Sequence, residues 1–543
     1  MFWEKLGFHL KCVFKNCIIE KCMQKLHFLN KVKAGDLVKK KFTTVFIISV
    51  ILAIIFIVWG AFAPNNLENV STTIQTFLQE KFGWFYLISA TGMLLFVIYL
   101  AFSKYGKIKL GKDDDEPDYS TFSWFAMLFS AGMGIGLVFW GVAEPVSHYF
   151  NPPFGDGESI QAAESAVRFS FFHWGLHPWG VYAVIALALA YFKFRRNAPG
   201  TISAIFYPLL GERVNGPIGK AIDIIAVFAT VFGVATSLGL GAIQINGGFS
   251  YLNNNIPIGF NVQIFIIIGV TILFTLSAIS GLGRGIKWLS NTNIVIAILL
   301  LFFLLLLGPT TFLLNLFTTT LGSYIEFLPQ MSFRMSPFNE ANSGWIQDWT
   351  IFYWAWWIAW SPFVGTFIAR VSKGRTIREF IFGVLAVPTV FCALWFSVFG
   401  GSGIYLEMFS DGGIWEAMNF GENTEVALFA TLDHLPLSTI VTVLSIVLIS
   451  TFFITSADSA TFVIGMQTTN GMLNPPLLIK LTWGVIQASA AAVLLWSGGL
   501  NALQTASIIS AFPFVFILIF IMISLHKGLQ EDEKHYTKRK KVF

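Results

Sequence analysis

Charged residues are scarce in this sequence. Asp, Glu, Lys and Arg make up 12% of the 543 residues, whereas an average soluble domain carries about 25%. Hydrophobic residues reach 55%, and apolar runs of about 20 residues, the length that crosses a bilayer, recur along nearly the whole chain. The shortage of charge excludes a water-soluble protein and predicts an all-α membrane protein.

Twelve of the apolar runs are long enough to be transmembrane helices. Residues 43–525 are predicted to form one twelve-helix domain, between a basic cytoplasmic extension (1–42) and a short basic cytoplasmic tail (526–543). The extension holds ten lysines and no clean apolar stretch, so it is not a cleavable signal peptide. The predicted spans are 43–63, 83–103, 122–145, 167–192, 220–244, 261–280, 290–314, 347–369, 379–399, 437–462, 478–498 and 502–525.

Positive charge is distributed unevenly between the predicted loops. Short cytoplasmic loops carry the Lys/Arg excess, and with the N-terminus inside, every inward loop is basic. The outward loop 400–436 holds six acidic residues and no Lys or Arg. Both termini are therefore predicted to be cytoplasmic. The net charge of +5 reflects this topology, and no nucleic-acid partner is expected.

Cysteine is also rare, with four residues in the chain. Cys12, Cys17 and Cys22 repeat every five residues, and Cys392 stands alone in the ninth span. Zinc ligands usually come as closely spaced pairs, so we expect reduced thiols and no metal cofactor. Neither an H-E-x-x-H motif nor a nucleophile with its base is present, which argues against an intramembrane enzyme.

Two spans contain helix-breaking residues. Gly132, Gly134 and Gly136 interrupt the third span and Pro362 the eighth, at a cost of about 1 kcal/mol per glycine and 3 kcal/mol per proline. Close packing of small residues is the alternative for a single glycine stretch. Because the two helices lie five apart, they would begin two inverted five-helix repeats, helices 3–7 and 8–12. Matching interruptions of this kind point to a binding site at the membrane midplane.

Aromatic side chains concentrate on the fourth and eighth spans. Trp174, Trp179 and Tyr182 share one side of the fourth, and Trp357 and Trp360 belong to a stripe on the eighth. An interfacial belt is the alternative, but belts occupy helix ends, whereas Trp179, Trp357 and Trp360 lie near mid-span. Cages of Trp and Tyr faces recognise quaternary ammonium groups. The pattern predicts a methylated ammonium ligand.

Carboxylates are missing at the predicted depth of this site, because Glu144 and Asp348 lie near the outer ends of their spans. A purely cationic ligand would gain from a carboxylate, so a zwitterion is favoured. Its own carboxylate would need backbone N–H groups, a hydroxyl such as that of Ser237, or a co-bound cation. Thr455 and Ser456 on the tenth span offer oxygens for sodium, although such hydroxyls usually bond to the backbone one turn back.

Three segments strongly resemble hallmark sequences of the betaine/carnitine/choline transporter family: SAGMGIGLVFWGVAEP at 130–145, FHWGLHPW at 172–179 and WAWWIAWSPFVG at 354–365. The resemblance extends over about residues 40–525. It implies a LeuT-like inverted-repeat fold, alternating access, sodium symport of a glycine betaine-type osmoprotectant, and a homotrimer in a bacterial plasma membrane. The expected partners are a betaine-like substrate, sodium and membrane lipid.

The resemblance also implies functional residues. The substrate would meet an aromatic box and a tryptophan on the path to the cytoplasm: Trp174, Trp179, Tyr182 and Trp357, then Trp360. Choline-carrying members tend to place an aspartate at the position of Gly136, so the glycine favours betaine over choline.

Two sodium sites are implied in the same way. A second site would use Thr230 and Phe363, but Val234 stands where a further threonine is expected, which leaves the stoichiometry open. The first site would use Ser130, Met133, Phe452, Thr455 and Ser456.

Three other transport functions are alternatives to sodium symport of a betaine. A sodium-independent carnitine exchanger would carry a fixed positive side chain near the tenth helix, and the fifth and tenth spans contain no Lys or Arg. A choline importer would require a site suited to a bare cation. A channel is disfavoured because conduction requires weak, passable sites.

Overall fold

The computed structural model describes the backbone of residues 42–542 except 133, 281 and 282, and the side chains of that part outside 129–133, 278–288 and 534–542. Within the described residues the chain is helical, with no strand and one isolated bridge between Lys109 and Thr376. Cys12, Cys17 and Cys22 of the predicted extension lie outside the described residues.

The main helices are labelled in chain order. They are α1 (Thr44–Phe62), α2 (Pro64–Phe102), α3 (Thr121–Gly132), α4 (Ile135–Phe150), α5 (Ile160–Trp174), α6 (Leu176–Ala190), α7 (Pro217–Leu252), α8 (Phe260–Ser280), α9 (Gly283–Leu307), α10 (Thr310–Ser332), α11 (Phe352–Val371), α12 (Ile377–Phe409), α13 (Ser438–Gln467) and α14 (Leu477–Val542).

The outer helices expose apolar surface that requires lipid. In the described chain, nine helices are long and apolar enough to cross a membrane. The most apolar stretches of α1, α8 and α9 are only 22–28% buried, whereas those of α5–α6 and α7 are 94% and 83% buried. Water-soluble monomers rarely expose continuous apolar patches larger than a few hundred Å², whereas here most of three apolar helices is exposed. The predicted membrane protein is therefore confirmed, with α5, α6 and α7 at its centre.

The glycine stretch interrupts the third predicted span, as expected. Helix α3 ends at Gly132 and α4 begins at Ile135. Gly134 between them is fully extended, with φ −155° and ψ −177°. The N-terminus of α4 is therefore placed inside the protein.

The expected interruption of the eighth span is absent, because α11 runs through Pro362. Proline cannot donate to the carbonyl four residues earlier, that of Ile358. The Ser361 hydroxyl donates to this carbonyl oxygen instead, at 2.8 Å. The irregular turn lies before α11, at Ile346–Ile351, where the helix widens to π geometry.

The fourth span is divided at Gly175, between α5 and α6. The backbone N–H of Leu176, left free by the break, donates to the Tyr324 hydroxyl at 3.0 Å. A Cβ at Gly175 would lie 2.5 Å from the Phe171 carbonyl oxygen. Only glycine therefore fits this break without a local shift.

Two further features differ from the predicted spans. The seventh span was expected to run to residue 314, but α9 ends at Leu307, and α10 is an additional helix that begins after Gly308 and Pro309. The eleventh and twelfth spans share the label α14 but are separated, as predicted, by non-helical backbone at Gly498 and Gly499 (φ +60°). Helix α14 then continues through the residues predicted to be a tail.

The loops predicted to face inward meet the end of α14. Arg195, after α6, binds Asp113 and Asp532, each at 2.8 Å. Arg196 also contacts Asp532, at 3.2 Å, and Lys104 pairs with Glu533. These basic loops therefore lie on one side of the protein, called here the basic side.

Candidate functional site

The four rings predicted to form an aromatic box, Trp174, Trp179, Tyr182 and Trp357, lie in one connected cluster. The ring centroid of Trp357 is 4.8 Å from that of Trp174 and 6.2 Å from that of Tyr182. Trp179 contacts Tyr182 edge to face at 5.5 Å. Each of these side chains is at most 5% exposed. The box is therefore dry and tightly packed.

Helix breaks and hydrogen bonds set the orientation of these rings. Trp174 is the last residue of α5, and Trp179 lies beyond the break on α6, so the periodicity of one helix does not relate the two. The indole N–H of Trp357 donates to the His173 carbonyl oxygen at 2.9 Å. The Trp357 ring also stacks on Trp356 at 4.7 Å. These contacts hold Trp357 in one rotamer.

Glu144, on α4, is a buried carboxylate directly behind the box. Its Oε2 accepts hydrogen bonds from Trp174 Nε1 at 2.8 Å and the Tyr353 hydroxyl at 2.6 Å. Its Oε1 accepts one from His173 at 2.7 Å. The expectation that no carboxylate lies near the site is wrong, because the packing of α4 against α5 brings Glu144 to Trp174. His148, one helical turn after Glu144 in an otherwise apolar helix, was the available sequence signal.

The glycine stretch allows close approach of the indoles. A Cβ at Gly136 would lie 2.5 Å from Trp356 Cη2 and 3.1 Å from Trp174 Cη2. A Cβ at Gly134 would meet only Trp360, at 3.9 Å. Gly136 thus faces the box, and Gly134 faces the tryptophan beside it. Gly132 ends α3.

A cavity of about 550 Å³ lies on the basic side of the box. Trp360, at its inner end, donates from Nε1 to the Gly233 carbonyl oxygen at 2.8 Å. The cavity extends to Arg370, at the basic-side end of α11. It is called here the basic-side cavity, and the predicted site residues that line it are Trp360, Phe363, Phe452, Thr455 and Ser456.

The hydroxyl of Thr455, which is predicted to bind sodium, has protein partners. Thr455 Oγ1 donates to the Thr451 carbonyl oxygen at 3.0 Å and lies 3.3 Å from the Asn293 amide nitrogen. Thr455 therefore makes the backbone bond usual for a helical threonine, accepts a hydrogen bond from Asn293, and lines the basic-side cavity. The side chains of Ser130 and Met133 lie outside the described residues.

Thr230 and Ser237 lie on the buried face of α7. Thr230 Oγ1 donates to the Ala226 carbonyl oxygen at 2.7 Å and contacts the Gln467 Oε1 at 3.3 Å. The Ser237 hydroxyl lies 3.4 Å from the Gly233 carbonyl oxygen. Val234, which lies between them in sequence, is buried in the core. The side-chain oxygen of Gln467 lies beside Thr230 and could bind a cation. The sequence pattern did not indicate this residue.

The apolar helical fold and the buried aromatic box are features of a membrane transporter. The chain belongs to the betaine/carnitine/choline family of transporters, whose family model matches residues 44–534.

Several bacterial relatives are similar over most of their length. The glycine betaine transporter OpuD of Bacillus subtilis (strain 168) is 54% identical over 505 residues, 93% of this chain and 97% of the relative. A probable glycine betaine transporter of Desulfitobacterium hafniense (strain Y51) is 48% identical, over 91% of this chain and 99% of the relative. An ectoine/hydroxyectoine transporter of Virgibacillus pantothenticus is 46% identical, over 74% and 79%.

Proposed function

We propose that this chain imports a zwitterionic quaternary ammonium osmolyte, glycine betaine first, by sodium symport with alternating access. The observation that carries the proposal is the buried cluster of four rings, in which Trp174 and Tyr182 contact Trp357 and Trp179 contacts Tyr182. The names of the two relatives that are glycine betaine transporters support the same substrate.

The chemistry of the box suits a trimethylammonium head group. Such a group has no hydrogen-bond donor, so it gains most from the faces of aromatic rings. A cation–π contact is worth about 2 kcal/mol or more when desolvated and about 0.5–1 kcal/mol when exposed to water. Because Trp174, Tyr182 and Trp357 are buried, the larger value applies to them.

The carboxylate of the substrate has a suitable partner in the N-terminus of α4. The first N–H groups of a helix lack intrahelical acceptors, and the helix dipole favours an anion there. In this chain those groups begin with Ile135 and Gly136, because the N–H of Leu137 already donates to the Gly134 carbonyl oxygen at 3.2 Å. Gly136 lies against the ring of Trp174. The Ser237 hydroxyl is a second donor for the same carboxylate.

Sodium is proposed to travel with the substrate. Phe452, Thr455 and Ser456 line the basic-side cavity, so an ion released by them would leave through the same opening as the substrate. Ser130 and Met133 complete the proposed first site. Thr230 and Phe363 are proposed for a second site, in which the Gln467 amide oxygen would replace the hydroxyl that Val234 lacks.

We propose that twelve segments cross the membrane in two inverted five-helix repeats, with α3 and α4 together forming the third and α14 forming the last two. Both termini would be cytoplasmic in a bacterial plasma membrane, and three copies would assemble. In this orientation the basic-side cavity would open to the cytoplasm, which supports the proposal of an inward-facing state.

Uptake into liposomes tests the proposal. Purified protein is reconstituted, and uptake of radiolabelled glycine betaine, choline, carnitine and ectoine is measured with and without an inward sodium gradient. Glycine betaine should accumulate only with the gradient. The ectoine arm is included because one relative is an ectoine/hydroxyectoine transporter. Sodium-independent exchange of carnitine, or accumulation of choline alone, would contradict the proposal.

A further inference from the structure

Glu144 is the only carboxylate hydrogen-bonded to a box tryptophan in the described part of the chain. It is fully buried, and it pairs with no lysine or arginine in that part. The nearest charges that could balance it are the imidazoles of His173 and His148, with nitrogens 2.7 Å and 3.4 Å from Oε1. Behind the box, Glu144 therefore has no lysine or arginine partner in the described residues, and two imidazoles are its only basic neighbours within 4 Å there.

The donors around Glu144 leave little room for another ligand. Trp174 and Tyr353 occupy Oε2, and His173 occupies Oε1, with His148 next to it. The three side chains Glu144, His148 and His173 could in principle surround a metal ion. The carboxylate of Glu144 already accepts three short hydrogen bonds, whereas neither ring nitrogen of the buried His148 has a hydrogen-bond partner among the described residues.

We infer that Glu144 sets the preference for a positively charged head group, acting through Trp174 on the box. This inference rests on the proposed function and names a selectivity residue for it. Trp174 links the two parts: its Nε1–H donates to Glu144, and its ring lies edge to face with Trp357 at 4.8 Å. Glu144 is thus a positioning residue that does not touch the substrate.

Two physical effects act in the same direction. A hydrogen bond from the indole N–H to a carboxylate raises the electron density of the ring, which strengthens the attraction of its face for a cation. The buried charge also attracts the head group directly across the low-dielectric ring. Together they should favour a cationic over a neutral head group by about tenfold.

Arg334 is a cation that could weaken the attraction of the box for a positive head group, but it makes no ion pair with Glu144. Arg334, after α10, is held over the rings of Phe154, Phe169 and Trp345 with centroid distances of 5.2–5.7 Å. Its Nη2 donates to the Pro153 carbonyl oxygen. Arg334 therefore contacts aromatic rings and a backbone carbonyl oxygen rather than Glu144.

The test compares glycine betaine with tert-butylacetate, the analogue in which carbon replaces nitrogen. The two share their shape and carboxylate, so the ratio of their dissociation constants reports the head-group charge alone. We expect Glu144→Gln, which keeps the shape of the side chain and an acceptor oxygen, to weaken glycine betaine binding about tenfold and leave tert-butylacetate binding unchanged. Glu144→Asp, which keeps the charge, should retain most of the wild-type ratio. Asp348→Asn removes an exposed carboxylate from the π turn before α11 and is the control for loss of a carboxylate at the surface.

The possible outcomes separate the inference from the proposed function. A wild-type ratio in Glu144→Gln overturns the inference and leaves betaine transport intact. Equal weakening of both ligands in Glu144→Gln and in Glu144→Asp also overturns it, because only a structural role predicts that result. A wild-type protein that binds neither ligand would contradict the proposed function and the inference together.

Discussion

The box and the basic-side cavity present tryptophans only three residues apart on α11, yet they are built differently. Trp357 is 5% exposed and packs against other rings on several sides. Trp360 is partly exposed and lines a cavity of about 550 Å³ that also holds polar groups such as Thr455 and Arg370. The first site is dry and the second accessible to water.

This difference in water access predicts that the substrate binds at the box and only passes through the basic-side cavity. The same ring face attracts a cation by about 2 kcal/mol or more when water is excluded and by about 0.5–1 kcal/mol when it is not. A head group should therefore bind at Trp357 and pass Trp360 without being held. Weak contacts along the exit favour release, because a strongly binding cavity would retain the substrate.

The largest effect is expected from Trp357→Leu, which keeps apolar bulk but removes the ring face. Affinity for glycine betaine should fall roughly 30-fold, the equivalent of one desolvated cation–π contact. Trp360→Leu, the matched substitution in the basic-side cavity, should cost only about two- to fivefold. Equilibrium binding of radiolabelled glycine betaine measures both. Equal losses in the two variants would remove the distinction between box and cavity.

Gly136→Ala should have the next largest effect, because the added methyl would lie 2.5 Å from Trp356. Overpacking of this kind costs about 1–3 kcal/mol. Displacement of the indoles should raise the dissociation constant of glycine betaine about tenfold. Gly136→Asp would meet the same obstruction, so choline uptake by that variant would not report charge alone.

Gly134→Ala is the control, since its methyl would contact only Trp360 at 3.9 Å. The same binding assay, with thermal unfolding in detergent, compares the two alanine variants. Wild-type affinity in Gly136→Ala would show that the box adapts freely and that its close packing is unimportant.

The smallest effect concerns sodium. Thr455→Val and Ser456→Ala each remove a hydroxyl from the basic-side cavity, and the sodium concentration for half-maximal uptake should rise about fivefold, as for the loss of one neutral oxygen contact. Val234→Ala and Thr451→Val, which remove no proposed ligand, should leave it unchanged. An identical sodium response in all four variants would refute the proposed ion site.

Much of the helical fold could be predicted from apolar runs, because a bilayer forces each spanning segment to satisfy its own backbone hydrogen bonds. The exceptions have local causes. Pro362 does not break α11, because the Ser361 hydroxyl satisfies the exposed carbonyl. Gly175 does divide its span, because Tyr324 on α10 supplies an acceptor. Both outcomes depend on single hydrogen bonds that periodicity does not reveal.

In the site, too, some features could be predicted from the sequence and others depend on tertiary contacts. The aromatic rings could be predicted, since their residue types and positions on two helices already indicate a cage. Glu144 was placed too far from the site, because depth along one helix says nothing about which neighbour its side chain reaches. The packing of α4 against α5 brings it to Trp174. The binding roles of the box and of the sodium residues remain predictions.

A structure of the protein in lipid nanodiscs with saturating glycine betaine and sodium tests the central claim most directly. We predict density for the trimethylammonium group within about 6 Å of the ring centroids of Trp174, Tyr182 and Trp357. Density found instead only beside Trp360 and Arg370, with the box still closed and empty, would contradict the account.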